Sequence, residues 1–523
     1  MMPGFGFGSW RAPRAGGGAP PVPISAPATF AAAGDVIPMT ISRQAGGAIV
    51  TDYDPDAVRP TPTATYYVST SGNINNNGTS EATPVNSITC AVAIAKAAGG
   101  TACIKIAAGK YKRGNGVFTR SGQPTANGAY RACLNVGTAL DQDILLEPLV
   151  PGTRWISMIE VQEGGIVFSA TADPNIKVGT WSGALPGVLL VDWNNLDADG
   201  IPRLITPLLT TPASSAAPWP EINALWTAYS TVKDKTTDAS SYGMGASWLD
   251  TANSKIYVRT FDNRLPVMSA DVDILANDAT LRGAETAITA SRTMWMRGGM
   301  LMGGKNGAFH AYSPSTSNVL TLYADDMVFW GGYGYGAITT VKLDASTTPF
   351  GGKFIMNNCK GYYSLSDGFN WHGSGTGAIN SPFVIEIGSK SKWCGWNATG
   401  TNNGTTSHET VRKICINGEY LNIQDRAIHD IQASLNWYLG CTASTRRIAD
   451  ATANSRAVVA QASAQVGTTT IWLDSFTPVN GAFGAPQAEY DAYSSGGILF
   501  ATNMTVPGYS PAGGGSAFAA YTP

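Results

Sequence analysis

Charge is scarce in this sequence. Asp, Glu, Lys and Arg together make up 13% of its 523 residues, about half the share usual in globular proteins. The formal net charge is -2, with no basic stripe of the kind a nucleic-acid binder carries. Long apolar runs are missing too, so no segment is expected to span a membrane. The opening MMPGFGFGSWRAPRAGGGAPPVPISAP has no charged region leading into an apolar one and is not read as a secretory signal. There is no P-loop, GxSxG or dinucleotide fingerprint, and no cofactor is implied. Seven cysteines are an odd number, thinly spread. They do not make a disulfide framework; Cys90 and Cys103 are the one conceivable pair, and free buried thiols are the favoured reading.

What is abundant is small and β-favouring. Gly contributes 60 residues, and hydrophobic residues still reach 44%, which argues against disorder. A chain of 523 residues is too long for one compact core unless the fold is elongated. These features suit a repetitive all-β solenoid or sandwich. From residue 271 to 500, short apolar strands recur: DVDIL, TMWMRGGML, VLTLYADDMVF, GKFIMNN, PFVIEIG, RKICING, TTIWLD and GGILFATN. Their starts lie roughly 20 to 35 residues apart, the period of a solenoid. Cys394 and Cys415 are 21 residues apart, and so are His408 and His429. Two pairs sharing one interval predict a coil of that length, with equivalent positions superposed.

The chain divides into four parts. Residues 1–64 are rich in Gly, Ala and Pro and read as an extended arm that orders only against a partner. Residues 65–149 begin with a strand at Tyr66–Ser69 and an Asn/Gly turn. A helix follows from Val85 to Ala98, with Ile88, Val92 and Ala95 on one face. Gly99-Gly100 stops it, and a strand follows at Cys103–Ala107. Such a helix caps the open end of a solenoid. Residues 150–270 break the rhythm and read as an inserted small β subdomain. Residues 271–523 carry the main coils.

The stretch beginning "GN", with NNGTS, TP and then IKIAAGKY, resembles the start of right-handed parallel β-helices of the pectate-lyase-like superfamily, which includes polysaccharide lyases, glycosidases and bacteriophage tailspikes. Ile74 and Asn75 stand where that pattern usually has an acid. SWLDTANSKIYVRTFDNRLP resembles the hairpin that returns the chain to the helix in such proteins, with Trp248 packed across it on Tyr257. DGFNWHG, NGTTSHE, NGEY and DIQASLNWYLGC resemble a pattern of phage and prophage β-helix proteins, with Glu409 in place of an expected Asp. The resemblance implies a right-handed parallel β-helix with a short capping helix, an inserted β subdomain and an N-terminal arm. It implies no catalytic assignment.

Three of the four histidines, His372, His408 and His429, each lie near a carboxylate. With a 21-residue coil, His408-Glu409 falls over His429-Asp430, one strand spacing of about 4.8 Å away. Asp367 falls nominally two coils earlier. Paired carboxyls at such separations suit glycoside hydrolysis, and an imidazole can replace either as proton carrier. Asp367, His372, His408, Glu409, His429 and Asp430 are therefore the candidate catalytic residues. Trp371, read as exposed, suits stacking on a sugar ring. Asp325 and Asp326 extend an acidic groove, and Arg412, Lys413 and Arg426 are candidates for a uronate. Each has a plainer reading: Asp367-Gly368 as a turn pair, Trp371 as packing between coils, His408 and His429 as a polar ladder. No HxH or HxxxH spacing supports a metal among His372, His408 and His429, and none is assigned. NLDADG (195–200) alternates like a calcium loop, but Thr206 stands where a bidentate Glu belongs. Tyr333 and Tyr335 in a Gly-rich turn suit contact with another subunit.

These readings converge on a bacteriophage spike or fibre, released by host lysis and found in the virion. It recognises a bacterial surface polysaccharide, joins other virion proteins through its arm, and assembles as a homotrimer through flat faces. Cleavage stays open, with hydrolysis ahead of elimination. A free polysaccharide hydrolase or lyase is the alternative, and neither nucleic acid nor membrane is a partner.

Overall fold

Short β-favouring segments punctuated by Gly, Asn and Asp can complete their backbone hydrogen bonds only against one another. In the computed structural model they do so in three long parallel sheets. Residues 20–503 and 519–520 are described, apart from 113–117, 120–128, 135–141, 160–165, 182–187, 209, 231–243, 269–270, 277–283, 288, 305–306, 313–317, 333–340, 345–350, 374–381, 396–401, 446–455, 462–466 and 479–491. Tyr333, Tyr335 and the first nineteen residues thus lie outside the described residues. Among those described, no helix is long and apolar enough to cross a membrane.

The largest sheet has twelve strands, running from Ala64–Val68 through Phe383–Ile387 and Arg412–Ile416 to Ala519–Ala520. A nine-stranded sheet starts at Gly109–Lys112 and an eight-stranded one at Ala284–Ala287. The chain visits these walls in turn, for example at Gly351–Asn357, Lys360–Ser364 and Phe369–His372 before returning at Phe383–Ile387. Each strand pairs in parallel with its counterpart one circuit later: Phe354 with Val384, Lys360 with Lys390, His372 with His408. All the expected strands except DVDIL contribute to the twelve-stranded wall. Their near-continuous apolar runs reflect burial on both sides. In FVIEI, Val384 joins the interior cluster, while Ile385 and Ile387 join a second cluster on the outer face.

The corner between the twelve- and nine-stranded walls is made by single residues in the left-handed conformation: Gly298, Asp326, Asn358, Gly388, Asn417, Gly440 and Ser475, with φ between 48° and 63°. Each donates its N–H to a carbonyl in the next circuit, as Asn358 does to Ile387 at 2.7 Å and Asn417 to Leu439 at 2.8 Å. Only Gly, Asn and Asp adopt this conformation readily. Asn also lies over Gly here. A Cβ on Gly388 would meet Asn358 Oδ1 at 2.6 Å, and one on Gly440 would meet Asn417 Oδ1 at 2.5 Å.

The superposition expected from a 21-residue interval does not occur. Cys415 lies in the twelve-stranded wall, beside Glu386 and Tyr438 in register. Cys394 follows Lys390–Lys392 of the nine-stranded wall. Circuit length varies because the connections differ, so equal sequence intervals need not mark equivalent positions. All seven cysteines are free and buried.

The N-terminal segment also corrects its expectation, because its described part orders against its own chain. Val22–Pro23, Ile41–Arg43 and Ile49–Thr51 form an antiparallel sheet. Phe30 sits 6.3 Å, centroid to centroid, from Phe383, Trp437 and Trp472. Arg43 binds Asp474 through both carboxylate oxygens at 2.6 Å, and Arg59 reaches Glu147 at 2.7 Å. The outward Ile, Trp and Leu side chains of the twelve-stranded wall supply the apolar surface that a partner would otherwise have to provide.

A helix at Ile88–Ala98 packs against the first two strands, with Ser87 accepting from Cys90 N–H at 3.0 Å and Gly99 at its end. Ile88, Val92 and Ala95 are buried as expected. A separate seven-stranded sheet, from Ser169–Ala170 to Val272–Ala276, contains the expected hairpin. Trp248 stacks on Tyr257 there, with centroids 5.6 Å apart. This sheet docks on the outer face of the nine-stranded wall. Leu189 and Val191 pack with Met300, Trp330 and Trp393. Asp273 pairs with Lys110 and Lys112, and Asp199 with Lys390 and Lys392. The loop 195–200 is therefore a docking turn: Asp197 accepts from Asp199 and Ile201 N–H groups, and Asp199 faces lysines.

Gly388→Ala places a methyl group at a left-handed position against Asn358. It is expected to lower stability by about 1–3 kcal/mol, whereas Asn417→Gly changes it by less than about 1 kcal/mol. Urea denaturation checks both, and equal effects would contradict the corner's role.

Candidate functional site

The eight-stranded wall alternates like any half-buried strand set. Phe369, Trp371, Ile428 and Val458 point inward into the main core. Asn370, His372, Thr406, His408 and His429 take the opposite parity, on the side of the sheet away from the core, where Asn370, Thr406 and His429 are still buried and His372 and His408 half-buried. His310, on Phe309–Tyr312 of the same wall, does likewise. All four histidines of the chain thus project from one side of one sheet.

Register decides which of them meet. His372 pairs with His408 across one circuit, and their rings stack with centroids 4.0 Å apart and planes 19° from parallel. His429 is in register with Thr406 and not with His408, and Asp430 with Ser407. The expected His408-over-His429 superposition is replaced by His372 over His408, because the intervening circuits are of unequal length.

Glu409 follows His408 at a corner residue with φ 55°. Its Oε2 lies 3.3 Å from His372 Nδ1 and accepts from Gly373 N–H at 3.1 Å. Its own N–H donates to the Gln432 side-chain carbonyl. A Cβ at Gly373 would come within 3.0 Å of Val411 N, so the close approach of these two circuits needs glycine there. The His372 and Glu409 side chains keep 17% and 12% of their surface exposed. The Thr406 hydroxyl donates to the His429 carbonyl, so toward His408 Nε2, 3.2 Å away, it can only accept. That places the His408 proton on Nε2 and its lone pair on Nδ1. Sequence reasoning passed over Thr406, Gly373 and Gln432. Gly373, directly after His372, was the one visible signal.

The other candidates are placed differently. Trp371 is fully buried, its Nε1 donating to Glu386 Oε1 at 2.9 Å, so it offers no face to a sugar. Asp430 points inward and accepts from Lys413 Nζ at 3.0 Å and Tyr438 OH at 2.6 Å. Burial works to discharge Lys413, but the Asp430 carboxylate prevails and holds its pKa above the ordinary lysine value. Glu386, Thr405 and Tyr420 complete this interior network. Asp367 is buried and accepts from the Asn370 and Asn403 side-chain amides and from Asn403 N–H. Of the four carboxylates near the histidines, Glu409 is the one that reaches the outer face beside an imidazole. Arg412 binds Asp35 of the N-terminal segment. Asp325 accepts from Arg297 and Asn357, and Asp326 pairs with Arg154. None of these three joins the histidine cluster in the described contacts. Arg426 lies against the His429 ring, 3.2 Å from Nδ1, and Gln461 Oε1 is 3.0 Å from Nε2.

An imidazole with Nδ1 against a carboxylate has its other nitrogen oriented for proton exchange. His372 and Glu409 approach that form by distance, 3.3 Å, but without a hydrogen bond between Nδ1 and Oε2. His429 does not, since burial and the Arg426 charge push its pKa down to about 3 and keep it neutral.

No protein-family model matches the chain, and no curated protein matches it. Two solved structures are similar in part. One, described as the complex structure of XylC with xylose, aligns over 83% of this chain and 68% of its own at 9% identity and a TM-score of 0.44. Another, described as a glycoside hydrolase, aligns over 86% and 96% at 10% identity and a TM-score of 0.30. Likenesses of this size assign no activity.

Two buried groups give the wall opposing pH dependences. Unfolded His429 takes up a proton below about pH 6.5, while the folded chain refuses it until about pH 3. Acidification through that window therefore favours unfolding. Burial pushes folded Asp367 up to about 6, against the hydrogen bonds that lower it, while the unfolded carboxyl titrates near about 3.9. Acidification from pH 6 to 4 therefore favours folding at that group. His429→Asn is expected to gain stability relative to the parent as pH falls from 6 to 4, by up to about 1.4 kcal/mol per unit. Identical slopes in a pH series of urea melts would contradict this.

Proposed function

We propose that this chain is a right-handed parallel β-helix protein of bacteriophage-spike type, which recognises a bacterial surface polysaccharide along the outer face of its eight-stranded wall. The observation that carries the reading is the His372–His408–Glu409 cluster on that face. The outward faces of the other two walls are already occupied, by the N-terminal segment and the seven-stranded sheet. The histidine wall presents the half-buried His372, His408 and Glu409 instead, backed by the buried polar side chains of Asn370 and Thr406. Its polar groups repeat about every 4.8 Å along the stack, a rise on the scale of one sugar ring. Hydroxyl-rich ligands match such a ladder of donors and acceptors.

His372 and Glu409 supply the reactive part of the reading, with the carboxylate holding the imidazole and the imidazole exchanging a proton with a glycosidic oxygen or a ring hydrogen. Asp430 and Asp367, bonded inside the fold, support the cluster and are not substrate groups. Homotrimer assembly and attachment to a particle through the N-terminal arm, residues 1–64, belong to the same proposal.

Purified full-length protein is tested against a panel of bacterial capsules and O-polysaccharides for binding, with reducing ends and unsaturated-uronate absorbance followed in parallel. Saturable binding to at least one glycan is expected, weakened at least about tenfold in His408→Ala. Glu409→Gln is expected to keep the binding and abolish any cleavage. No binding across the panel, or binding unchanged in His408→Ala, overturns the reading. Cleavage without any stable binding would favour the free-enzyme alternative.

A further inference from the structure

Saccharide contact does not exhaust the chemistry of the histidine cluster. One ligand atom each from His372, His408 and Glu409 lies within 4.8 Å of the others. Nδ1 of His372 is buried and makes no hydrogen bond among the described residues; its charged neighbour is Glu409 Oε2. Some other buried carboxylates are answered by strong cations, Asp273 by Lys110 and Lys112, Glu147 by Arg59 and Lys105. At Glu409 the partner is an imidazole, which is itself a metal ligand.

We propose that His372, His408 and Glu409 form a site for one borderline divalent transition ion of the Zn2+ kind. Two imidazoles with one carboxylate suit such ions and not Ca2+ or Mg2+, which take oxygen shells. Bonds of about 2.0–2.2 Å place tetrahedral donors about 3.3 Å apart, an ångström or so closer than the present limit. Rotation of the imidazoles about their own side-chain bonds is needed to close that difference. Supporting contacts are already in place. Thr406 Oγ1 lies 3.2 Å from His408 Nε2 and steadies that ring, while Gly373 N–H holds the Glu409 carboxylate. His429 stays outside the site, held by Arg426 and Gln461. Three protein ligands leave a fourth position for water or a sugar hydroxyl. The site stands on its own geometry and does not rest on the glycan reading.

The test uses chelator-treated full-length protein titrated with Co2+ as an optical probe, then with Zn2+ as competitor, with no glycan present. One equivalent of Co2+ is expected per chain, with weak visible bands of nitrogen and oxygen ligation that Zn2+ abolishes. Affinity is expected to fall at least about tenfold in His372→Ala and in Glu409→Gln, and to hold in His429→Asn. Circular dichroism establishes that each variant is folded, and the wild-type titration stands regardless of how they fold. Absence of saturable binding to the folded wild type overturns the proposal. So does unchanged affinity in folded His372→Ala, or a thiolate charge-transfer band, which would put the ion on the buried cysteines.

Discussion

Parallel hydrogen bonding between successive circuits is the constraint from which the other features follow. Once Phe369–His372 is bonded in register to Asn403–His408, residues 36 positions apart become neighbours at one strand spacing, and every side chain's inward or outward direction is set. The corner column keeps that register from slipping. From Gly298 to Ser475, a left-handed residue at the same point of seven successive circuits turns the chain from one wall to the next while its N–H bonds the circuit beyond. A shift by one residue would put Glu386 and Lys413 outside and bring isoleucines in.

The three walls solve different problems with this one device. The twelve-stranded wall is apolar on both faces and is covered by the chain's own N-terminal segment. The nine-stranded wall carries lysines and aromatics that receive the seven-stranded sheet. Inside the stack, the Glu386–Thr405–Lys413–Asp430–Tyr438 network ties strands of two walls together, and Tyr420 adds the third. Such an interior ion pair adds little net stability, because each ion costs several kcal/mol to desolvate, yet every partner becomes hard to remove. The polar wall keeps histidines together outside this network, and that separation of charge inside from imidazole outside gives the candidate site its character.

Much of the scaffold was legible in the sequence. Apolar runs such as FVIEI and RKICI announced the twelve-stranded wall because it is buried on both sides. Gly99-Gly100 and the apolar spacing announced the helix, and the Trp248 hairpin was read as it folds. The shorter strands of the other walls, three to six residues in cases such as Lys390–Lys392 and Asn403–His408, offered too little pattern. The left-handed corner was spelled by Asn358, Gly388, Asn417 and Gly440, but at intervals too uneven to stand out. Of the candidate residues, His372, His408 and Glu409 were named and do meet, though through a register that equal intervals misstated. Burial separated the rest. Nothing in DGFNWHG distinguishes an inward Trp371 from an outward His372 until the parity of the strand is known, and the acid at 430 looked like its neighbour His429 while pointing the opposite way.

The central claim is that residue 372 lies over residue 408, one circuit away. Paired cysteine substitutions test it directly. In-register neighbours on adjacent parallel strands lie about 4.8 Å apart, inside the Cα separation of about 4.4–6.8 Å that a disulfide spans. His372→Cys with His408→Cys should therefore cross-link under mild oxidation, read by mass spectrometry of the joined peptides. His408→Cys with His429→Cys, offset by two residues along the strand, should not. Cross-linking of the second pair and not the first would contradict the register on which the site is built.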